Sequence, residues 1–120
     1  MIYAVLVYVA KLLIQNGVNV VVDATGNLRR YRDDARCQIS RFFEVYLECP
    51  LEVCVEREVK RGKTFHAPKE IYSKAFEGRA PTVPGVGQPY EAPLRAELVL
   101  DTVRLSPEEC AREIVRMVLG

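Results

Sequence analysis

The sequence predicts an α/β fold with a mostly parallel sheet, and three observations carry that expectation. Helical and strand-like patterns alternate along the chain. The run "VNVVVD" at residues 18–23 is apolar without alternation, as expected of a strand covered on both faces. A third strand-like run, "AELVLDT" at residues 96–102, is followed by a clear helix-start signal in "SPEE".

The elements follow in order. Ile2, Val5, Val9, Leu12 and Leu13 recur at helical intervals, and Gly17 stands where a C-terminal cap belongs, so a buried helix is expected over 2–15. A membrane span or signal peptide is not the reading: no basic n-region precedes the apolar stretch, Lys11, Gln15, Asn16 and Gly17 interrupt it, and no small-residue cleavage site follows. The strand at 18–23 leads to a second helix over Arg29 to Ser40, then a second strand, "FFEVYLE". Pro50 opens a short helix in "LEVCVEREV". Beyond Lys60 the texture turns to glycine and proline, giving a long loop with one helical patch from Lys69 to Phe76. The last helix has Ser106 as N-cap, Pro107 at its first position, Glu109 completing a capping box and Gly120 at its end.

At 120 residues and 49% hydrophobic content the chain holds one domain with a core. Seventeen basic residues against sixteen acidic ones create no global field of the kind that binds nucleic acid or membrane. Any electrostatic role is therefore local. Cys37, Cys49, Cys54 and Cys110 form no C-x-x-C pair and have only His66 as a histidine companion, so buried, reduced thiols in a reducing cytoplasm are expected and no metal site is assigned.

The chemistry points to "DATGNLRRYRDDAR", residues 23–36. On the helix, Arg29 can pair with Asp33, Arg30 with Asp34 and Arg36 with Asp33, whereas Arg32 has only Leu28, Arg29, Ala35 and Arg36 at those spacings. Arg32 is thus expected to be unneutralised, beyond the carboxyl end of a parallel strand where open sheets bind ligands, with a fork suited to phosphate or sulfate. A solvated surface arginine fits the same pattern. Asp23 divides between metal or substrate work and capping of the next turn. Thr25, Gly26 and Asn27 allow close backbone approach to a ligand, and an ordinary turn explains them equally.

Taken in order, "VAKLLIQNGVNVVVDA", "YRDDAR", "FFEVYLECPLEVCVERE", "KEIYSKAFEG", "PGVGQPYEAP" and "AELVLDT" resemble the later two-thirds of adenylylsulfate (APS) kinase, which phosphorylates the 3′-hydroxyl of adenosine 5′-phosphosulfate. The most specific pieces are "VYLECPLEVCVERE" and the ordered pair of Tyr72 and Tyr90-Glu91. The resemblance implies a three-layer α/β/α P-loop kinase-like fold, truncated at the N-terminus. Within it, residues 1–59 supply core elements, 60–93 the lid, and 94–120 the last strand and helix. It implies that Asp23, Thr25, Gly26, Asn27 and Arg32 face APS, that Arg57 lies near nucleotide phosphates, and that Lys74, Gly85 and Val86 belong to the lid on the substrate side. It further implies ATP as phosphoryl donor with Mg²⁺, small-molecule partners only, a cytoplasmic location, and association, as a homodimer or otherwise, through the face that truncation leaves uncovered.

The departures from the family pattern are specific. "ATGN" stands where the family has "FISP", so Gly26 occupies the serine position and excludes a covalent route through a hydroxyl there. Val83 replaces the lid aromatic expected to stack on adenine, Pro84 the following threonine and Ser73 the more typical lysine; Glu58 stands for aspartate, and "RGKTFHAP" reads as an insertion. No G-x-x-x-x-G-K-[ST] occurs in residues 1–120, although a P-loop kinase needs that loop to cradle phosphates and hold magnesium. The isolated chain is therefore expected to be inactive. Two other readings stand beside the leading one: a related P-loop kinase with a different small acceptor, and a non-catalytic module that binds a nucleotide or a partner.

Overall fold

The computed structural model describes residues 2–61 and 89–120. The expected helical patch at 69–76, with Lys74, Gly85 and Val86, lies outside the described residues. The elements run α1 (Ile2–Gln15), α2 (Arg29–Gln38), β1 (Val45–Glu48), α3 (Leu51–Lys60), β2 (Leu98–Asp101) and α4 (Pro107–Leu119).

Helix α1 ends as the sequence predicts. Gly17 adopts a φ of 78°, its N–H reaches the Ile14 carbonyl at 3.0 Å, and the Val18 N–H reaches that of Leu13 at 3.0 Å. This is a Schellman ending, in which the left-handed residue lets the chain turn back over two orphan carbonyls. At the other end of the chain, the Ser106 hydroxyl accepts the Glu109 N–H at 3.2 Å while the Glu109 carboxylate accepts the Ser106 N–H at 2.7 Å. The expected capping box of α4 is complete. Pro50 stands at the N-cap of α3, and its carbonyl accepts the N–H groups of Val53 and Cys54, each at 3.1 Å.

Strands β1 and β2 pair in parallel, with Val45 opposite Leu98 and Glu48 opposite Asp101. Each is shorter than the apolar run that predicts it. The strand expected at 18–23 does not form: among the described residues only β1 and β2 make ladder hydrogen bonds. An apolar run becomes a strand only when a neighbour takes its backbone groups. Here Val21 is 94% exposed.

The core is small and lies in two places. Helix α1 packs on α2, burying Val7, Ala10 and Ala35, with the Tyr3 and Tyr31 rings stacked at 4.2 Å between them. Helix α4 packs on β2, where Leu100 is 2% exposed and Cys110 lies buried. The expectation that α1 is a buried helix is corrected. Ile2, Val5, Tyr8, Val9 and Leu12 are all exposed, because among the described residues only α2 covers the helix. The cysteine expectation is corrected too: Cys110 is buried, but Cys37 is exposed and Cys49 half-buried.

Candidate functional site

The segment that follows α1 reaches α2 through a second left-handed glycine. Gly26 has a φ of 50°, its N–H donates to the Tyr3 hydroxyl at 2.9 Å, and its carbonyl accepts from the Arg32 guanidinium. The turn at 24–27 is thereby fixed to both helices. A distant stretch closes on it. The Glu91 N–H donates to the Asn27 carbonyl at 2.8 Å, and the Asn27 side-chain amide donates to the Pro89 carbonyl at 3.1 Å. The Arg29 Nε donates to the Ala92 carbonyl at 2.8 Å.

Helix α2 has no side chain of its own at the N-cap, since Leu28 carries no acceptor. Glu91 supplies one from across the fold, its Oε1 accepting the Arg29 N–H at 2.9 Å. A carboxylate there satisfies an orphan donor and meets the positive end of the helix dipole.

The expected isolation of Arg32 is overturned. Its Nε lies 2.6 Å from Glu44 Oε2, and its terminal nitrogens donate to the carbonyls of Gly26 and, at 2.5 Å, Glu91. The Nε–H does not point along the short contact with Glu44, so this is an ion pair without an aligned hydrogen bond. The neutralising acid comes from just before β1 and not from the helix, which is why helical spacing missed it. The other pairings expected within α2 are likewise replaced. Arg29 faces Glu91 at 4.0 Å, Arg30 lies over the Tyr31 ring at 5.2 Å, and Arg36 binds Glu97 at 2.6 Å and Glu44 at 3.4 Å.

These charges perturb one another. The Arg36 hydrogen bond, aided by the Glu44 N–H, holds the Glu97 carboxyl down at about 2 despite opposing desolvation. The same hydrogen bond raises the Arg36 guanidinium. Burial pushes the Tyr90 phenol up, although the Arg32 guanidinium, 5.9 Å from its ring, acts the other way.

Arg57 lies elsewhere. It donates to the Thr102 carbonyl at 2.6 Å, to the Thr102 hydroxyl at 3.4 Å and to Cys49 Sγ at 3.7 Å. Cys49 and Thr102 directly follow the two strands, so Arg57 sits at the carboxyl edge of the sheet, where open parallel sheets bind ligands. Glu44, which holds Arg32, precedes β1 and lies at the amino edge. Five residues of chain at strand rise, roughly 16 Å, separate Glu44 from Cys49. The structure thus gathers Gly26, Asn27 and Arg32 into one cluster and leaves Arg57 outside it. Asp23, just before the turn, and Thr25, within it, are exposed.

Among the described residues no group of three acids, cysteines or histidines could hold a metal ion. The family model for adenylylsulphate kinase matches residues 2–101, a span that holds the turn, Arg32, Glu44, Arg57 and Glu91. The chain belongs to the adenylylsulphate kinase family. It is 37% identical over 112 residues to a probable adenylyl-sulfate kinase of Pyrococcus abyssi, covering 93% of this chain and 59% of that protein. The adenylyl-sulfate kinase of Bacillus velezensis is 36% identical over 112 residues, with 92% and 52% covered. That of Rippkaea orientalis is 38% identical over 107 residues, with 89% and 54% covered. The chain spans about half the length of the adenylyl-sulfate kinases it matches.

Sequence reasoning named Gly26 and Arg32, which the structure brings together, but passed over Glu44 and gave Glu91 no task. The signal was present for both in the strand and "PYEAP" motifs; what it lacked was the contact between positions far apart in the chain.

Proposed function

We propose that the chain carries the acceptor-binding part of an adenylyl-sulfate kinase, whose whole reaction transfers the γ-phosphoryl of ATP to the 3′-hydroxyl of adenosine 5′-phosphosulfate. The observation that carries this reading is the cluster of Gly26, Asn27 and Arg32 with Glu91, set in a chain of that family. An arginine held in place by a carboxylate and by the carbonyls of Gly26 and Glu91 is suited to an oxyanion-bearing nucleotide. In this reading Asp23 and Thr25 border the acceptor, Arg32 meets its phosphosulfate end, and Lys74, Gly85 and Val86 belong to the same substrate side.

Arg57, at the carboxyl edge, is the candidate for the nucleotide phosphates. The family's use of ATP implies Mg²⁺, for which the described residues offer no ligand set, so no step of the reaction is assigned to them through the ion. The complete domain is a three-layer α/β/α P-loop kinase in the cytoplasm, in which further elements cover α1 and pair with the run at 18–23. Among the described residues no helix is long and apolar enough to cross a membrane.

Phosphoryl transfer rests on positioning and electrostatic stabilisation of the γ-phosphate. Without a G-x-x-x-x-G-K-[ST] stretch the 120-residue chain binds APS and does not turn over ATP. Titration calorimetry of the chain with APS, against AMP and inorganic sulfate as competitors, tests this. Binding selective for APS supports the reading, and equal affinity for AMP removes it. The second reading, a different small acceptor, is favoured by Gly26 at the family's serine position, and the same titration run with other nucleotides decides between them.

A further inference from the structure

We propose that Glu44 is a positioning residue for acceptor binding, acting through Arg32. The inference rests on the function proposed above, and it concerns a side chain to which the sequence assigned no role.

Glu44 directly precedes β1, and its carboxylate is nearly enclosed, with 11% of the side chain exposed; that of Arg32 is 15% exposed. One oxygen lies 2.6 Å from Arg32 Nε and the other 3.4 Å from an Arg36 terminal nitrogen. Two carbonyls, of Gly26 and Glu91, take two of the five guanidinium N–H groups and leave donors for an anion. Among the described residues Glu44 is the carboxylate paired with Arg32. A half-enclosed guanidinium without its acid is an uncompensated charge and turns toward water or another carboxylate, so its fork loses the orientation an oxyanion requires.

The alternative role for Glu44 has the opposite sign. A carboxylate near an anion site that did nothing but repel would weaken acceptor binding, and its removal would tighten it. Glu97 provides the control. It binds Arg36 and the Glu44 N–H, and among its contacts there is none with Arg32.

The test compares Glu44→Gln, Glu97→Gln and Arg32→Lys in the full 120-residue chain, by APS affinity from calorimetry and by amide hydrogen exchange. Expected is a loss of roughly tenfold in APS affinity for Glu44→Gln, less than full truncation of an enclosed charge partner because glutamine keeps the shape and one acceptor oxygen. Glu97→Gln stays within about twofold of the parent chain, and Arg32→Lys combined with Glu44→Gln binds no more weakly than Arg32→Lys alone. Unchanged or tighter APS binding by Glu44→Gln overturns the proposal. If the parent chain itself fails to bind APS, the functional reading is the one that falls, and exchange then decides the role of Glu44. Exchange at the Gly26 and Glu91 amides rises in Glu44→Gln but not in Glu97→Gln if Glu44 organises the cluster, and equal rates in the two variants overturn it.

Discussion

Glu91 caps a helix that begins sixty-two residues earlier, its Oε1 accepting the Arg29 N–H at 2.9 Å. The local sequence gives α2 no cap, and the remote carboxylate makes the start of that helix depend on the stretch at 89–92 being in place. Glu91→Ala is expected to destabilise the chain by about 1 kcal/mol, as loss of an N-cap does. Glu91→Gln, which keeps an acceptor, should lose less. Urea unfolding of the two variants checks the order, and equal losses would show that the hydrogen bond contributes nothing.

A similar cost is expected at α4, for a reason wholly local. Ser106→Ala removes the acceptor for the Glu109 N–H and should destabilise by about 1 kcal/mol. Far-ultraviolet circular dichroism during urea unfolding reads it, with the m-value unchanged.

Gly26→Ala should destabilise even though space exists for the methyl group. A Cβ there meets the Arg32 Cγ and Cδ at 3.6 Å, an ordinary contact, but the φ of 50° is left-handed. That conformation costs a non-glycine residue about 1–2 kcal/mol, and asparagine less than alanine. Gly26→Asn is therefore the milder of the two in thermal unfolding. The reverse order would show that the turn relaxes to another conformation.

The charge pairs give a pH dependence of definite sign. Glu97 is held at about 2, below the ordinary carboxylate value, chiefly by the Arg36 hydrogen bond. A depressed folded value means that the stabilisation is fully present above the unfolded value near 4.5 and is lost as the pH falls from there through about 2. Stability measured in urea between these limits should fall with pH more steeply in the parent chain than in Glu97→Gln. Parallel profiles would remove Glu97 from the account.

Exposed Ile2, Val5, Tyr8, Val9 and Leu12 on α1 form an apolar surface, with Val21 and Val22 also exposed beyond the helix. Such surfaces drive association. Sedimentation velocity of the chain should show species heavier than a monomer that grow with concentration, and Val5→Lys with Val9→Lys should shift them toward the monomer. A single monomeric species with a sharp unfolding transition would count against this.

Local signals in the sequence were sufficient for the end of α1 and the starts of α3 and α4. Gly17, Pro50 and the box of Ser106 and Glu109 act on backbone groups within a few residues, so their effects can be read without knowing the fold. The run at 18–23 has strand composition, yet strand formation depends on a neighbour that composition cannot supply. Arg32 failed for a related reason. Helical spacing counts neighbours within four residues, whereas Glu44 is twelve residues on and Glu91 is fifty-nine. Turns and caps are short-range physics, and the candidate site is built almost entirely of long-range pairs.

The bare side of α1 also bears on how long this polypeptide persists in a cell. Exposed valine, isoleucine and tyrosine on an ordered helix are apolar surface of the kind that chaperones engage. A variant with polar residues on that side is therefore expected to outlast one in which only the β1–β2 pair or α4 is strengthened.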